Sequence, residues 1–163
     1  GHGFAVHTCV LRPRSIGEIR IRREGDGFAP DIDHRFFSDP FDAQVLVEGI
    51  KLARRIFAAP PMAALNGREI LPGPDVVTDD QILAYLRAEA LTVYHPVGTA
   101  KMGRDATAVV EPVTMRVHGI EGLRVADASV MTTLIGGNTN APSMMIGEKC
   151  ARAILGRRAA ATA

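Results

Sequence analysis

The chain has 163 residues, which is close to the length of a single ordinary domain. Its composition, with 47% hydrophobic and 23% charged residues, is that of a globular protein. A net charge of +1 gives no electrostatic basis for binding nucleic acid or an anionic membrane. No apolar run reaches about 18 residues, so no integral membrane segment is expected. The first residues lack the layout of a signal peptide, and a cytoplasmic location is therefore expected.

The N-terminal region predicts extended structure over residues 5–22, with a turn at Pro13 and Gly17. Apolar and polar side chains alternate around Ile19 and Ile21, which predicts a half-buried strand with one face in water. The two extended runs therefore predict a hairpin or a sheet edge. Residues 24–33 are polar and contain glycine, so they predict a loop.

Two helices are predicted next from the residues at their N-termini. Asp39, followed by a proline, predicts the N-cap of a helix that ends at the next pair of prolines. Residues 63–77, which contain proline and glycine, predict a surface loop. Thr78 and Gln81 have the spacing of a capping box, which predicts a second helix to about Ala90.

The C-terminal region changes character. Residues 114–117 and 123–126 favour β-structure and predict two short strands. Residues 135–142 contain glycines, asparagines and a proline, which together predict a sharply turned loop. A final helix is predicted to begin near Pro142 and to end before the tail 157–163, which is predicted to be loose.

Three residues in this region are candidates for chemistry: His95, Asp127 and Asn140. The oxidation of an alcohol removes a hydroxyl proton and a carbon-bound hydride. Histidine suits the first task because its ordinary pKa, about 6.5, lies near working pH. An asparagine amide can hold the oxygen without competing for the proton, and a flavin would accept the hydride. Each residue also has a structural alternative, as a hydrogen-bonded histidine, a loop-capping aspartate or a turn asparagine.

The positions of two of these candidates agree with cofactor binding. Asp127 follows a predicted strand, at the end where open α/β sheets present ligand contacts. Asn140 lies where the final helix begins, and the positive end of a helix favours the negative charge of a reduced flavin. Pro142 has no N–H group, so the donors would be neighbours such as Ala141 or Ser143.

Three segments, in this order, resemble the glucose-methanol-choline (GMC) family of flavin-dependent alcohol oxidoreductases. They are YHPVGTAKMG at 94–103, GLRVADAS at 122–129 and NTNAPSMMIGEK at 138–149. The similarity extends to residues 11–17 and 38–40, and so covers nearly the whole chain. An asparagine at position 140 resembles the branch of the family that contains choline dehydrogenase.

The resemblance implies a role for each matched residue. His95 would be the catalytic acid/base and Asn140 would complete the catalytic pair, while Asp127 and the following Ala128 would contact FAD. His118 lies outside the motifs, so a structural role is expected for it. The implied reaction is FAD-dependent oxidation of a small alcohol, with the proton passing to His95 and the hydride to flavin N5.

The resemblance also implies an α+β fold. Residues 1–90 would form the end of an antiparallel-sheet substrate-binding domain, and residues 91–163 would return into the FAD-binding domain through a short strand and the final helix. The glycine-rich site for the ADP part of FAD, which the family carries near the N-terminus, is missing from this sequence. The expected partners are therefore the N-terminal portion of the same enzyme and an alcohol substrate. The alternatives are a flavin-containing hydroxynitrile lyase, or a truncated product that is inactive alone.

Overall fold

The computed structural model describes residues 3–156, which form two compact units divided between Val93 and Tyr94. The first unit contains strands β1 (Glu18–Glu24) and β2 (Gly27–Asp33) and helices α1 (Pro40–Ala58), α2 (Pro60–Ala63) and α3 (Asp79–Glu89). The second contains a 3-10 turn (Ala128–Val130) and helix α4 (Asn140–Ile154). The predicted loose tail, 157–163, lies outside the described residues. Within residues 3–156, no helix has the length and hydropathy that a membrane span requires.

Strands β1 and β2 form an antiparallel hairpin in which Glu18 pairs with Asp33 and Glu24 with Gly27. The predicted loop at 24–33 is therefore wrong, because most of it is strand β2. Gly25 has φ +57° at the first position of the two-residue turn, a conformation that favours a tight hairpin connection. The other extended run, at residues 5–10, lies in no strand.

One face of the hairpin is apolar and open to solvent. Ile19 lies opposite Ile32, and Ile21 lies opposite Pro30, so these side chains share a face. Ile19 and Ile21 are 50% and 78% exposed. The strand that was predicted to be half-buried is exposed over almost its whole length. The alternation of the sequence is present, but the surface that would bury its apolar side is not in this unit.

Helices α1 and α3 confirm the predicted capping signals. The Asp39 carboxylate accepts a hydrogen bond from the N–H of Phe41, 2.8 Å away. The hydroxyl of Thr78 accepts from the N–H of Gln81, and the Gln81 side chain accepts from the N–H of Thr78. The helices pack together through a core whose buried residues are Val47, Ile82 and Leu86. Local capping residues therefore position the helix pair, and the buried aliphatic side chains hold it.

Asp42, in the first turn of α1, is only 3% exposed. Its carboxylate accepts hydrogen bonds from the backbone N–H groups of Arg14, at 2.9 Å, and Ser15, at 2.8 Å. Burial acts to raise the pKa of Asp42, but hydrogen bonds from the side chain of Ser15 and the backbone of Arg14 outweigh it. The pKa therefore lies below its ordinary value of 3.8. Asp42 thus ties the irregular N-terminal segment to α1.

The second unit has one apolar core and little regular structure. The buried residues of this core are Val110, Met115, Val130, Met131, Ile146 and Cys150. The two predicted strands, 114–117 and 123–126, are present only as single bridges, such as the one between Arg116 and Arg124. Met115 has φ +58°, in the left-handed region, which interrupts the extended path in the middle of the first predicted strand. Loops, rather than a sheet, therefore surround this core.

We expect Gly17→Ala to destabilise the first unit by about 1–3 kcal/mol, the usual cost of forcing extra atoms into a packed position. A Cβ atom at Gly17 would lie inside contact distance of the backbone oxygen of Asp33 and 2.8 Å from that of His34. Gly67→Ala is the matched control, because a Cβ atom there would meet nothing within 4 Å. Urea unfolding of both variants measures the difference, and equal midpoints would show that the close approach at Gly17 is not needed.

We expect Asp42→Asn to lower the free energy of unfolding at neutral pH by about 1–3 kcal/mol, because the new amide N–H₂ group would face backbone donors. The folded-state pKa of Asp42 is depressed, so its contribution is complete above the ordinary pKa of 3.8 and is lost as pH falls through the lower folded value. The free energies of unfolding of wild type and Asp42→Asn, measured from neutral pH to about pH 2, should therefore converge as pH falls.

Asp80→Asn is the control for this measurement, since Asp80 also lies in the first turn of a helix but is exposed. It should leave stability nearly unchanged at every pH. A gap between wild type and Asp42→Asn that stays constant down to about pH 2 would contradict the role assigned to the ionised carboxylate.

Candidate active site

His95 is half-buried, and the backbone is constrained on both sides of it. Tyr94 has φ +61°, in the left-handed region, which costs a bulky residue on the order of 1–2 kcal/mol. Pro96 restricts the backbone of His95 to extended conformations. Gly98 also has positive φ, at +89°. The chain therefore turns sharply around His95 and fixes the direction in which its side chain leaves the backbone.

The imidazole of His95 contacts the residue that precedes helix α4. Its Nδ1 atom lies 3.2 Å from the hydroxyl oxygen of Thr139, which is 44 residues away in the chain. Thr139 is buried, with 9% of its surface exposed. This hydrogen bond connects His95 to the residue directly before helix α4, which begins at Asn140.

Helix α4 begins at Asn140, within the junction from Asn140 to Pro142 that the sequence predicted. Pro142 lies in the first turn, where a missing N–H group costs no hydrogen bond. The N–H of Ser143 donates to the carbonyl oxygen of Thr139 at 3.0 Å. The N–H groups of Asn140 and Ala141 precede this first helical bond and have no acceptor within the helix. Both residues are exposed, and the positive end of the helix dipole lies at this end of α4.

Asp127 is the N-cap of the 3-10 turn. One of its carboxylate oxygens accepts hydrogen bonds from the N–H of Ser129, at 2.8 Å, and from its hydroxyl, at 2.5 Å. The turn contacts α4, and Val130 and Ile146 lie in the same core. Ala128 packs against that core. Asp127 is itself exposed. Its carboxylate is therefore held through one oxygen, Oδ1, on a residue that is open to solvent.

Two other carboxylates of this unit anchor turns in the same way. Hydrogen bonds from the hydroxyl and the backbone N–H of Thr107 lower the pKa of Asp105 to about 2. The backbone N–H of Thr114 lowers the pKa of Glu111. Asp105 repeats the bonding pattern of Asp127 closely, so this pattern alone does not identify a functional residue.

His118 has a different environment from His95. Its ring Nε2 lies 3.0 Å from the carbonyl oxygen of Gly103, and its side chain is exposed. Because a carbonyl oxygen can only accept, this nitrogen must carry a proton. The contact ties one loop to another, as a structural histidine would.

No motif in the sequence predicts the contact that Thr139 makes with His95. The motifs predict His95 and Asn140 as a catalytic pair, and they assign no role to Thr139, which lies between two asparagines. A threonine directly before a helix predicts an N-cap. In the structure its side chain caps no N–H group, and its backbone has helical angles, φ −83° and ψ −4°. Only its contact with His95 in the structure identifies Thr139 as part of the candidate site.

Comparison with known proteins decides the family. The family model described as GMC oxidoreductase matches residues 13–147, which include His95 and Asn140. The chain belongs to the GMC oxidoreductase family. Its resemblance to that family, which rested on three short motifs, is confirmed over most of its length.

Curated relatives of this GMC chain include two enzymes named for alcohol substrates. The chain is 46% identical to an alcohol dehydrogenase [acceptor] of Pseudomonas putida over 155 residues, which are 95% of this chain and 28% of the relative. It is 44% identical to a choline oxidase of Arthrobacter globiformis over 165 residues, with 99% of this chain and 30% of the relative covered. The chain thus spans less than a third of the length of these relatives.

Solved structures share the fold. Pyridoxine 4-oxidase from Mesorbium loti superposes with a TM-score of 0.80 at 29% identity, over 91% of this chain and 29% of that one. A fungal aryl-alcohol oxidase superposes with a TM-score of 0.79 at 35% identity, over 90% of this chain and 24% of that one. The combination of helices with a small antiparallel sheet is therefore the one found in GMC oxidoreductases.

Proposed function

We propose that this chain is part of an FAD-dependent enzyme that oxidises the CH–OH group of an alcohol. The observation that carries the proposal is the hydrogen bond between His95 and Thr139, which joins the first and last family motifs. It joins a half-buried imidazole to the residue that precedes Asn140 in the chain. An acid/base group beside a neutral amide is what removal of a hydroxyl proton requires.

His95 accepts the hydroxyl proton of the alcohol in this proposal. With Nδ1 engaged by Thr139, the nitrogen that receives the proton is Nε2. Asn140 donates an amide N–H to the alcohol oxygen and so holds it beside the ring. Because the amide does not titrate, it cannot compete for the proton.

The start of α4 and the turn after Asp127 fit a flavin cofactor. The N–H groups of Asn140 and Ala141 suit the electron-rich edge of the flavin ring system. Asp127 and Ala128 would contact the ribityl and phosphate region, where a carboxylate oxygen can accept from a hydroxyl. Ser143 contributes by fixing the helix start, since its hydroxyl donates to the carbonyl oxygen of Thr139 at 2.6 Å. Bound FAD supplies the acceptor, flavin N5, for the hydride of the alcohol carbon.

We assign residues 1–90 to the end of a substrate-binding domain and residues 91–163 to the C-terminal return into the FAD-binding domain. The curated relatives are more than three times as long as the matched segment. We place the binding site for the ADP part of FAD in the corresponding N-terminal portion of the same enzyme. The exposed apolar face of the hairpin supports a covering partner of this kind. The cytoplasmic location stays a prediction.

His95→Gln in the full-length enzyme should slow anaerobic reduction of FAD about 10²–10⁴-fold, the usual contribution of a positioned general base. Stopped-flow absorbance with choline and a series of primary alcohols measures the rate. His118→Gln is the matched control, and it should reduce FAD at nearly the wild-type rate. A cyanohydrin cleaved while FAD stays oxidised would overturn the proposal in favour of a lyase.

Asp127→Ala should weaken FAD binding about tenfold or more, because a hydrogen bond to a charged group is lost. Asp105→Ala is the control, since it removes the same pair of turn hydrogen bonds at a site without a proposed cofactor contact. Flavin fluorescence titrations and melting curves of the full-length variants separate turn stability from cofactor binding. Equal weakening by both substitutions would show that Asp127 acts only through its turn.

A further inference from the structure

Thr139 occupies the position of a helix cap without acting as one. A threonine before a helix normally accepts a hydrogen bond from an N–H group of the first turn, which contributes about 1 kcal/mol. Here the Thr139 side chain makes no such bond. Its hydroxyl instead lies 3.2 Å from Nδ1 of His95. The capping interaction is therefore absent, and the hydroxyl is engaged by the candidate catalytic histidine.

The backbone of Thr139 is held by hydrogen bonds from the first turn of α4. Its carbonyl oxygen accepts two hydrogen bonds from Ser143, one from the backbone N–H at 3.0 Å and one from the hydroxyl at 2.6 Å. Thr139 is also buried and β-branched, which restricts its side chain to few rotamers. The position of the Thr139 hydroxyl is consequently fixed relative to the first turn of α4.

His95 is fixed at its own backbone by the left-handed Tyr94 before it and by Pro96 after it. The contact with Thr139 restrains the remaining freedom of the side chain, which is rotation of the ring. A neutral imidazole carries one proton, and the partner of one nitrogen decides which nitrogen carries it. A neutral hydroxyl can accept that proton's hydrogen bond without adding a charge to the site.

We propose that Thr139 is a positioning residue for His95, whose hydroxyl accepts a hydrogen bond from Nδ1–H and so leaves Nε2 of the neutral ring without a proton. This inference rests on the proposed function, in which Nε2 takes the alcohol proton. The O–H bond of the alcohol breaks, its proton forms an N–H bond at Nε2, and the ring becomes an imidazolium. The Nδ1–H bond to Thr139 persists through this step, so the ring need not turn or exchange tautomers.

The tautomer of His95 can be measured without turnover. Nitrogen NMR of the full-length enzyme, labelled with ¹⁵N-histidine and assigned with His95→Gln, distinguishes a protonated Nδ1 from a protonated Nε2 at a pH where the ring is neutral. We expect a protonated Nδ1 in the wild type and a loss of this preference in Thr139→Val. A wild-type ring that carries its proton on Nε2 would overturn the inference, whatever the variants do.

Kinetics provide the second readout. Thr139→Val should lower the rate of FAD reduction at saturating alcohol about tenfold with little change in KM, because the substrate contacts remain. Thr139→Ser keeps the hydroxyl and should restore most of the rate. Thr114→Val is the matched control, since it removes a part-buried hydroxyl bond to Glu111 elsewhere in the same unit. It should leave the His95 tautomer and the rate unchanged.

The outcomes separate this inference from the proposed function. An enzyme that oxidises alcohols at the wild-type rate with valine at position 139 would overturn the positioning role alone. An enzyme in which Nδ1 is protonated through Thr139, but which reduces no FAD with any alcohol, would overturn the proposed function and leave the hydrogen bond established. A rate lost in both Thr139→Val and Thr139→Ser would also count against the hydroxyl.

Discussion

The hydrogen bond between His95 and Thr139 connects two segments that are far apart in sequence and that have no sheet to align them. The histidine segment has no regular structure, so its geometry depends on a few residues with restricted backbone angles. Tyr94 is one of these, in a left-handed conformation that a bulky residue rarely adopts. Such a conformation persists only where the surroundings determine it strongly. The contact with Thr139 is one such determinant, since it holds the ring that follows Tyr94.

In the same unit, carboxylates hold turns in segments that form no strand. Asp105 and Asp127 each bind the N–H and the hydroxyl of the residue two positions later, and Glu111 does the same for Thr114. An ionised acceptor makes stronger hydrogen bonds than a neutral one, so each turn is held locally. The core beneath them, which includes Val110 and Ile146, then needs only to position the turns relative to α4.

The features predicted correctly from sequence are those whose causes are local. Asp39 and Thr78 cap their helices because the groups they bind lie two or three residues away. Strand β2 was missed because its pairing with β1 depends on a turn at Gly25 rather than on its own polar residues. The contacts of Asp42 and Thr139 were also not predicted, because they too depend on distant parts of the chain. Each occupies a position that predicts a role in its own helix, and each instead binds a segment more than 20 residues away.

The hairpin shows why a correct pattern can still predict the wrong burial. Alternation around Ile19 and Ile21 predicted one buried face, and the pairing with β2 does place Ile32 on that same face. The face is nevertheless exposed, with Phe28 at 73% and Ile21 at 78%. The alternation of apolar and polar residues predicts which face of a strand packs against another surface. The solvent exposure of that face depends on whether the packing surface is present. The matched segment is under a third of its relatives' length, and the remaining portion of the proposed enzyme would supply the covering surface. A hairpin covered in this way would be part of the sheet of the proposed substrate-binding domain.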